Sequence, residues 1–175
     1  MHGESREPLL IENLNHFYID NMGTEDGASI LLLSNKMPNL RDIKIKAIPD
    51  KCCIQLPKEL NKLLSLQIGD ISRKGILKIP DQFPYVENLV IRDINTEIRF
   101  FSNKTKCKLI NCLNIFPNLK ELTIQNIVNA EFIKLSLPES CHNLSINTIT
   151  NTNLWLDSST LINVNISSVY DESAT

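Results

Sequence analysis

The sequence predicts an α/β solenoid of about seven repeats, and three observations carry that expectation. One segment recurs: Phe116-Pro117-Asn118-Leu119-Lys120-Glu121-Leu122-Thr123-Ile124 matches Met37-Pro38-Asn39-Leu40-Arg41-Asp42-Ile43-Lys44-Ile45, and Phe83-Pro84-Tyr85-Val86-Glu87-Asn88-Leu89-Val90-Ile91 is a third copy. Reduced to its apolar skeleton, the unit reads L-x-x-L-x-I-x-x-I. It then recurs in weaker form at Leu14/Phe17/Ile19/Met22, Leu63/Leu66/Ile68/Ile71, Cys141/Leu144/Ile146/Ile149 and Leu161/Val164/Ile166/Val169. The first positions of the units are separated by 26, 23, 23, 33, 22 and 20 residues, a step that a chance aliphatic run would not keep.

Taken in chain order, residues 1–13 read as an N-terminal cap, with a short helix after Ser5 that carries Pro8 in its first turn. Residues 14–169 hold the repeats. Within each unit the second and third apolar positions, such as Leu122 and Ile124, are two apart and share one face of a short strand, with Glu121, Thr123 and Gln125 on the other. A single strand cannot bury that face, whereas parallel stacking joins the faces into one core. Each aliphatic anchor contributes roughly 1.5 to 3 kcal/mol when buried, and the isoleucine at the third position suits a pleated strand.

Pro38, Pro84 and Pro117 stand two residues before a first position, where a fixed φ and a missing N–H suit a turn into a strand. Leu56-Pro57, Ile79-Pro80 and Leu137-Pro138 open the approach to the next coil. Residues 95–115 form a longer connection, holding Arg99, Phe100, Phe101, the Lys104-x-Lys106-x-Lys108 run and Cys107/Cys112, with a short helix expected over Leu109 to Phe116. Trp155 is expected in the core of an inter-strand coil. Residues 170–175 are a polar tail without the features of a cap, so the last strand is expected to leave an open sheet edge.

The skeleton and the step, which falls mostly in a period of roughly 20 to 29 residues, resemble the leucine-rich repeat superfamily over Leu14 to Val169. That resemblance implies a curved right-handed coil with short parallel strands on the concave face and short helices, 3-10 turns or irregular coil on the convex face. The fourth position departs from it. Many such repeats carry an asparagine there that bonds adjacent coils, and here it is Met22, Ile48, Ile71, Ile94, Ile127, Ile149 or Val169. The Leu-Pro steps are similar to those of LPX-type bacterial type III effectors, whose repeat domain contributes to substrate recognition. No catalytic residue of such proteins has a counterpart in this sequence.

Composition narrows the function classes. Lys and Arg number 18 against 20 Asp and Glu, a net charge of -2, which is not the basic excess of a nucleic-acid or membrane-surface binder. No apolar run reaches the length of a membrane span, and the first residues lack an export-signal pattern. The cysteines, at 52, 53, 107, 112 and 141, are odd in number and show no metal-ligand spacing, which points to reduced thiols in the cytoplasm, or to non-Sec export into a host cell on the effector reading. Cys141 beside His142 imitates a nucleophile and base, but neighbours in a strand point to opposite faces.

No phosphate loop, metalloprotease motif or nucleophile elbow is present, so no enzyme activity, cofactor or metal is expected. The expected function is protein binding through the concave strand face, whose candidate contacts are Tyr18, Lys44, Lys46, Arg92 and Gln125. Tyrosine and arginine are types enriched at binding hot spots. Two alternatives stand beside it: the recognition part of a secreted bacterial effector, and a structural repeat that self-associates through its uncapped C-terminal edge.

Overall fold

A computed structural model describes residues 11–20, 22, 29–34, 37–72, 75–94, 99–101, 106–108, 113–128 and 132–170. The chain is a parallel β-solenoid. Its strands are β1 (His16–Ile19), β2 (Ile30–Leu32), β3 (Asp42–Ile48), β4 (Cys53–Gln55), β5 (Ser65–Ile71), β6 (Ile76–Lys78), β7 (Asn88–Ile94), β8 (Arg99–Phe101), β9 (Lys106–Lys108), β10 (Glu121–Val128), β11 (Phe132–Ser136), β12 (Asn143–Thr150), β13 (Asn153–Asp157) and β14 (Asn163–Tyr170). One long sheet runs β1-β3-β5-β7-β10-β12-β14, with every neighbour parallel. The opposite wall is built from β2-β4-β6-β8-β9 and from the pair β11-β13.

The sequence units fall in register. Ile43 pairs with Leu66, Leu66 with Leu89, Leu89 with Leu122 and Leu122 with Leu144, so each apolar position forms a column through the stack. The entry to each strand repeats one backbone motif, in which two successive N–H groups donate to a single carbonyl of the coil before. Leu64 and Ser65 donate to Arg41, Glu87 and Asn88 to Leu64, Lys120 and Glu121 to Glu87, and His142 and Asn143 to Lys120. The 33-residue step therefore leaves the register intact. Its surplus includes β9, which folds back antiparallel on β8 while β8 continues the second wall beside β6.

Two expectations are corrected here. The connections are strands rather than short helices, and the helical content among the described residues is one 3-10 turn at 113–115. The reason is legible in Cys53-Ile54-Gln55-Leu56-Pro57, Ile76-Leu77-Lys78-Ile79-Pro80 and Ile133-Lys134-Leu135-Ser136-Leu137-Pro138. These segments alternate with period two, and each ends on a proline that halts a helix but only terminates a strand. The solenoid also has about five turns rather than seven repeats. All seven units supply a strand to the long sheet. The units starting at Leu40, Leu63, Val86, Leu119 and Cys141 are enclosed, whereas Leu14, Phe17 and Met22 are partly buried and Val164, Ile166 and Val169 are exposed.

The core is one continuous cluster between the two walls, with Ile54, Leu77, Ile133 and Leu135 facing the long-sheet anchors. A further column stands three residues before the first anchors, at Met37, Leu60, Phe83 and Phe116, all buried. Phe83 and Phe116 stack with ring centroids 4.8 Å apart. Pro38, Pro84 and Pro117 lie in turns, as their placement implies. Trp155 is corrected from core to surface: Leu154 and Leu156 of β13 face inward, and the indole between them is 60% exposed. Residues 1–10, Lys104, Leu109, Ile110, Cys112 and the 171–175 tail lie outside the described residues, and so does the N-terminal helix expected after Ser5.

Candidate partner-binding face

The outward residues of the long sheet form rows across the strands, because parallel in-register pairing places equivalent positions side by side. One row reads Tyr18, Lys44, Gln67, Val90, Thr123, Ser145 and Asn165. A second row, two residues further along each strand, holds Asp20, Lys46, Gly69, Arg92, Gln125, Asn147 and Ser167.

Tyr18, Lys44 and Lys46 come together at the junction of β1 and β3. The Lys44 ammonium lies over the Tyr18 ring, 5.4 Å from its centroid, where the negative face of the ring attracts the cation. The Lys46 ammonium pairs with Asp20 at 2.6 Å, and the Tyr18 hydroxyl donates to the same carboxylate at 3.4 Å. That hydrogen bond from Lys46, with the charge of Lys46 and the Tyr18 hydroxyl assisting, holds the Asp20 carboxyl below its ordinary value. Asp20 in turn raises Lys46. His16 pairs with Asp42 at 2.7 Å on the next row out. Tyr18 is 55% exposed, so the cluster offers an aromatic surface fixed in place by two cations and a carboxylate.

Arg92 is separate from this cluster. It lies on β7, two strands from Lys46, at a spacing of roughly 10 Å, with Gly69 of β5 between them, and it pairs with Asp70 at 2.8 Å. Gln125 follows Arg92 in the row on β10. The expected contacts are thus one tight group, Tyr18/Lys44/Lys46, and one flanking pair, Arg92/Gln125, with the buried Gly69 of β5 between them.

The sequence reading missed the carboxyl line one position further along. Asp70, Asp93 and Asn126 follow one another on β5, β7 and β10, and the Asn126 amide donates to Asp93 at 2.5 Å. Burial first, and a hydrogen bond with Asp93 second, push the Asp70 carboxyl above its ordinary value against the pull of Arg92. Its Oδ1 is shielded and lacks a donor, which a proton shared with Asp93 would supply. The available signal was the same offset of Asp70 and Asp93 from their first anchors, Leu63 and Val86.

Chemistry elsewhere is sparse. Cys141 is buried, its thiol donates toward the Asn143 carbonyl at 3.7 Å, and burial pushes its pKa up, the opposite of an activated nucleophile. The His142 ring faces the Thr160 carbonyl at 3.1 Å instead of the thiol. Among the described residues no group of three or more His, Cys, Asp or Glu side chains could hold a metal ion. No helix among them is long and apolar enough to cross a membrane. No protein-family model, no curated protein and no solved structure matches the chain.

Proposed function

We propose that this protein is a non-catalytic binding module that holds a protein partner on the outward face of its long sheet, through Tyr18, Lys44, Lys46, Arg92 and Gln125. The observation that carries the reading is the Tyr18 cluster. An exposed tyrosine ring is held by Lys44 on one side and by the Asp20–Lys46 pair on the other, so little side-chain freedom is lost when a partner lands on it. Lys46 and Arg92 are matched by Asp20 and Asp70, a mixed surface that suits a protein better than a polyanion. We read the coil as an irregular relative of the leucine-rich repeat on the strength of its L-x-x-L-x-I skeleton. The free thiols Cys52, Cys53 and Cys141 favour a reducing compartment as its working place.

The test is affinity capture with the wild-type chain beside Lys44→Glu/Arg92→Glu and the milder Lys44→Gln/Arg92→Gln, each checked for an unchanged thermal transition. A protein captured by the wild type and lost in graded fashion by the two variants supports the reading. Equal capture by all three removes the site from this face.

A further inference from the structure

We propose that the outward face of the second wall, from β2 to β9, docks a protein segment that is apolar at one end and acidic at the other. This surface lies on the wall opposite the long sheet and is independent of the face proposed above.

Between Glu97 and Glu121 the chain holds Arg99, Lys104, Lys106, Lys108 and Lys120 and no Asp or Glu, in a molecule whose net charge is -2. The fold brings three of these positions beside another cation. Leu77 is fully buried, so the two-residue period turns Ile76 and Lys78 outward, and Lys78 is exposed. Phe101 is in register with Lys78, and Lys106 with Phe101, which sets all three positions in one outward row. Arg99 and Lys108 pair with each other two residues away, on the same face. Like charges directly opposite one another destabilise an antiparallel pair, so the β8–β9 hairpin keeps a repulsion that an anionic partner would relieve.

Toward β2 the same face changes character. Its positions there are Ile30, which is 50% exposed, and the half-buried Leu32, Cys53 and Ile76, with Gln55 among them. None of these strands, β2, β4, β6, β8 and β9, carries an Asp or Glu. From β2 to β9 the wall spans roughly 20 Å, the reach of about six extended residues.

This segregation of apolar from cationic positions chooses the occupant. A nucleic acid carries phosphates along its whole length and would leave the apolar half unmatched. A bilayer takes up apolar side chains that project into it, whereas Leu32, Cys53 and Ile76 are half sunk in the wall. A protein segment laid across the strands can set aliphatic side chains against Ile30 and Ile76 and carboxylates beside the positions of Lys78, Arg99, Lys106 and Lys108.

The experiment is fluorescence anisotropy of a labelled peptide of about six residues, leucine and serine in its first half and glutamate in its second, titrated with the full chain. The comparison set is wild type, Lys106→Glu/Lys108→Glu, the milder Lys106→Gln/Lys108→Gln, and Lys44→Glu/Arg92→Glu, each checked for an unchanged thermal transition. The expected result is binding by the wild type that weakens with salt, falls at least about tenfold on charge reversal and less on neutralisation, and is unchanged in the long-sheet variant. A peptide of the same composition with glutamate and leucine alternating should bind more weakly. No binding by the wild type, binding indifferent to both hairpin variants, equal binding of the alternating peptide, or tighter binding of a thymidine oligonucleotide or of phosphatidylserine-containing vesicles would each overturn the proposal.

Discussion

The side-chain amide of Asn118 donates to the carbonyl oxygen of Pro84, the turn residue of the preceding coil, at 2.7 Å. Asn39 reaches the Glu12 carbonyl in the same way at 3.3 Å, Ser140 reaches Pro117 at 2.9 Å, and the Thr160 hydroxyl reaches Cys141 at 3.2 Å. All four stand one residue before the first anchor of their unit. A polar ladder thus runs along this corner, and the first three of these bonds satisfy turn carbonyls.

Asn118→Ala is therefore expected to cost about 1 kcal/mol, read as a lower urea midpoint at unchanged slope. Asn118→Ser, which keeps a donor, should lose less. Equal losses would show that the amide contributes nothing beyond its surface.

Gly69 is fixed by contact with its neighbour strand. A Cβ there would stand 1.9 Å from the Lys46 carbonyl oxygen, a backbone atom that cannot swing away. Gly69→Ala should separate β3 from β5 at this point and destabilise the chain by about 1 to 3 kcal/mol. Gln125→Ala, in the same row on β10, should change stability by less than about 0.5 kcal/mol. Thermal melting of the two variants side by side is the check.

The raised pKa of Asp70 fixes the sign of a pH effect. The folded chain binds this proton more tightly than the unfolded one, so the stabilisation is fully present below the ordinary Asp pKa and is lost as pH rises through the folded value. Asp70→Asn imitates the protonated form. Its melting temperature should exceed that of the wild type near neutral pH, by an amount worth less than about 1 kcal/mol at so exposed a site, and the two curves should converge toward about pH 4. A variant that is less stable at neutral pH would mean that the Arg92 pair outweighs the burial and the Asp93 contact.

Anchors in the middle of the stack should matter more than those at its end. Leu122 is 1% exposed, and Leu122→Ala should cost about 2 to 5 kcal/mol. Val164, at the equivalent position of β14, is 48% exposed, and Val164→Ala measured at low protein concentration should cost under about 1 kcal/mol. Comparable losses would mean that the end strand is covered in solution even in the single chain.

Much of the long sheet is legible in the sequence, because one face of each strand is buried and the skeleton L-x-x-L-x-I records it. The second wall was harder to read. Its strands are three to five residues long, too short for a period to stand out, and their signature, an aliphatic pair two apart closed by proline as in Ile54-x-Leu56-Pro57, reads first as loop punctuation. Leu161/Val164/Ile166/Val169 carries the anchor pattern and forms β14 in register with β12, but Val164, Ile166 and Val169 are exposed, because burial depends on a neighbouring coil and not on the pattern itself. At the candidate site the composition of the outward rows was visible, and the Asp20–Lys46 tie and the Asp70–Asp93 line were not. Both arise between strands whose spacing in the chain is set by connections of unequal length.

The measurement that tests the central claim most directly is the dissociation constant of the captured partner for the wild type, Lys44→Glu/Arg92→Glu and Ser145→Glu, the last a charge added to the neutral half of the same face. The account predicts a loss of at least about tenfold for the double variant and under about twofold for Ser145→Glu. Unchanged affinity in the double variant, or a larger loss from Ser145→Glu, would contradict a binding site built on Tyr18, Lys44, Lys46 and Arg92.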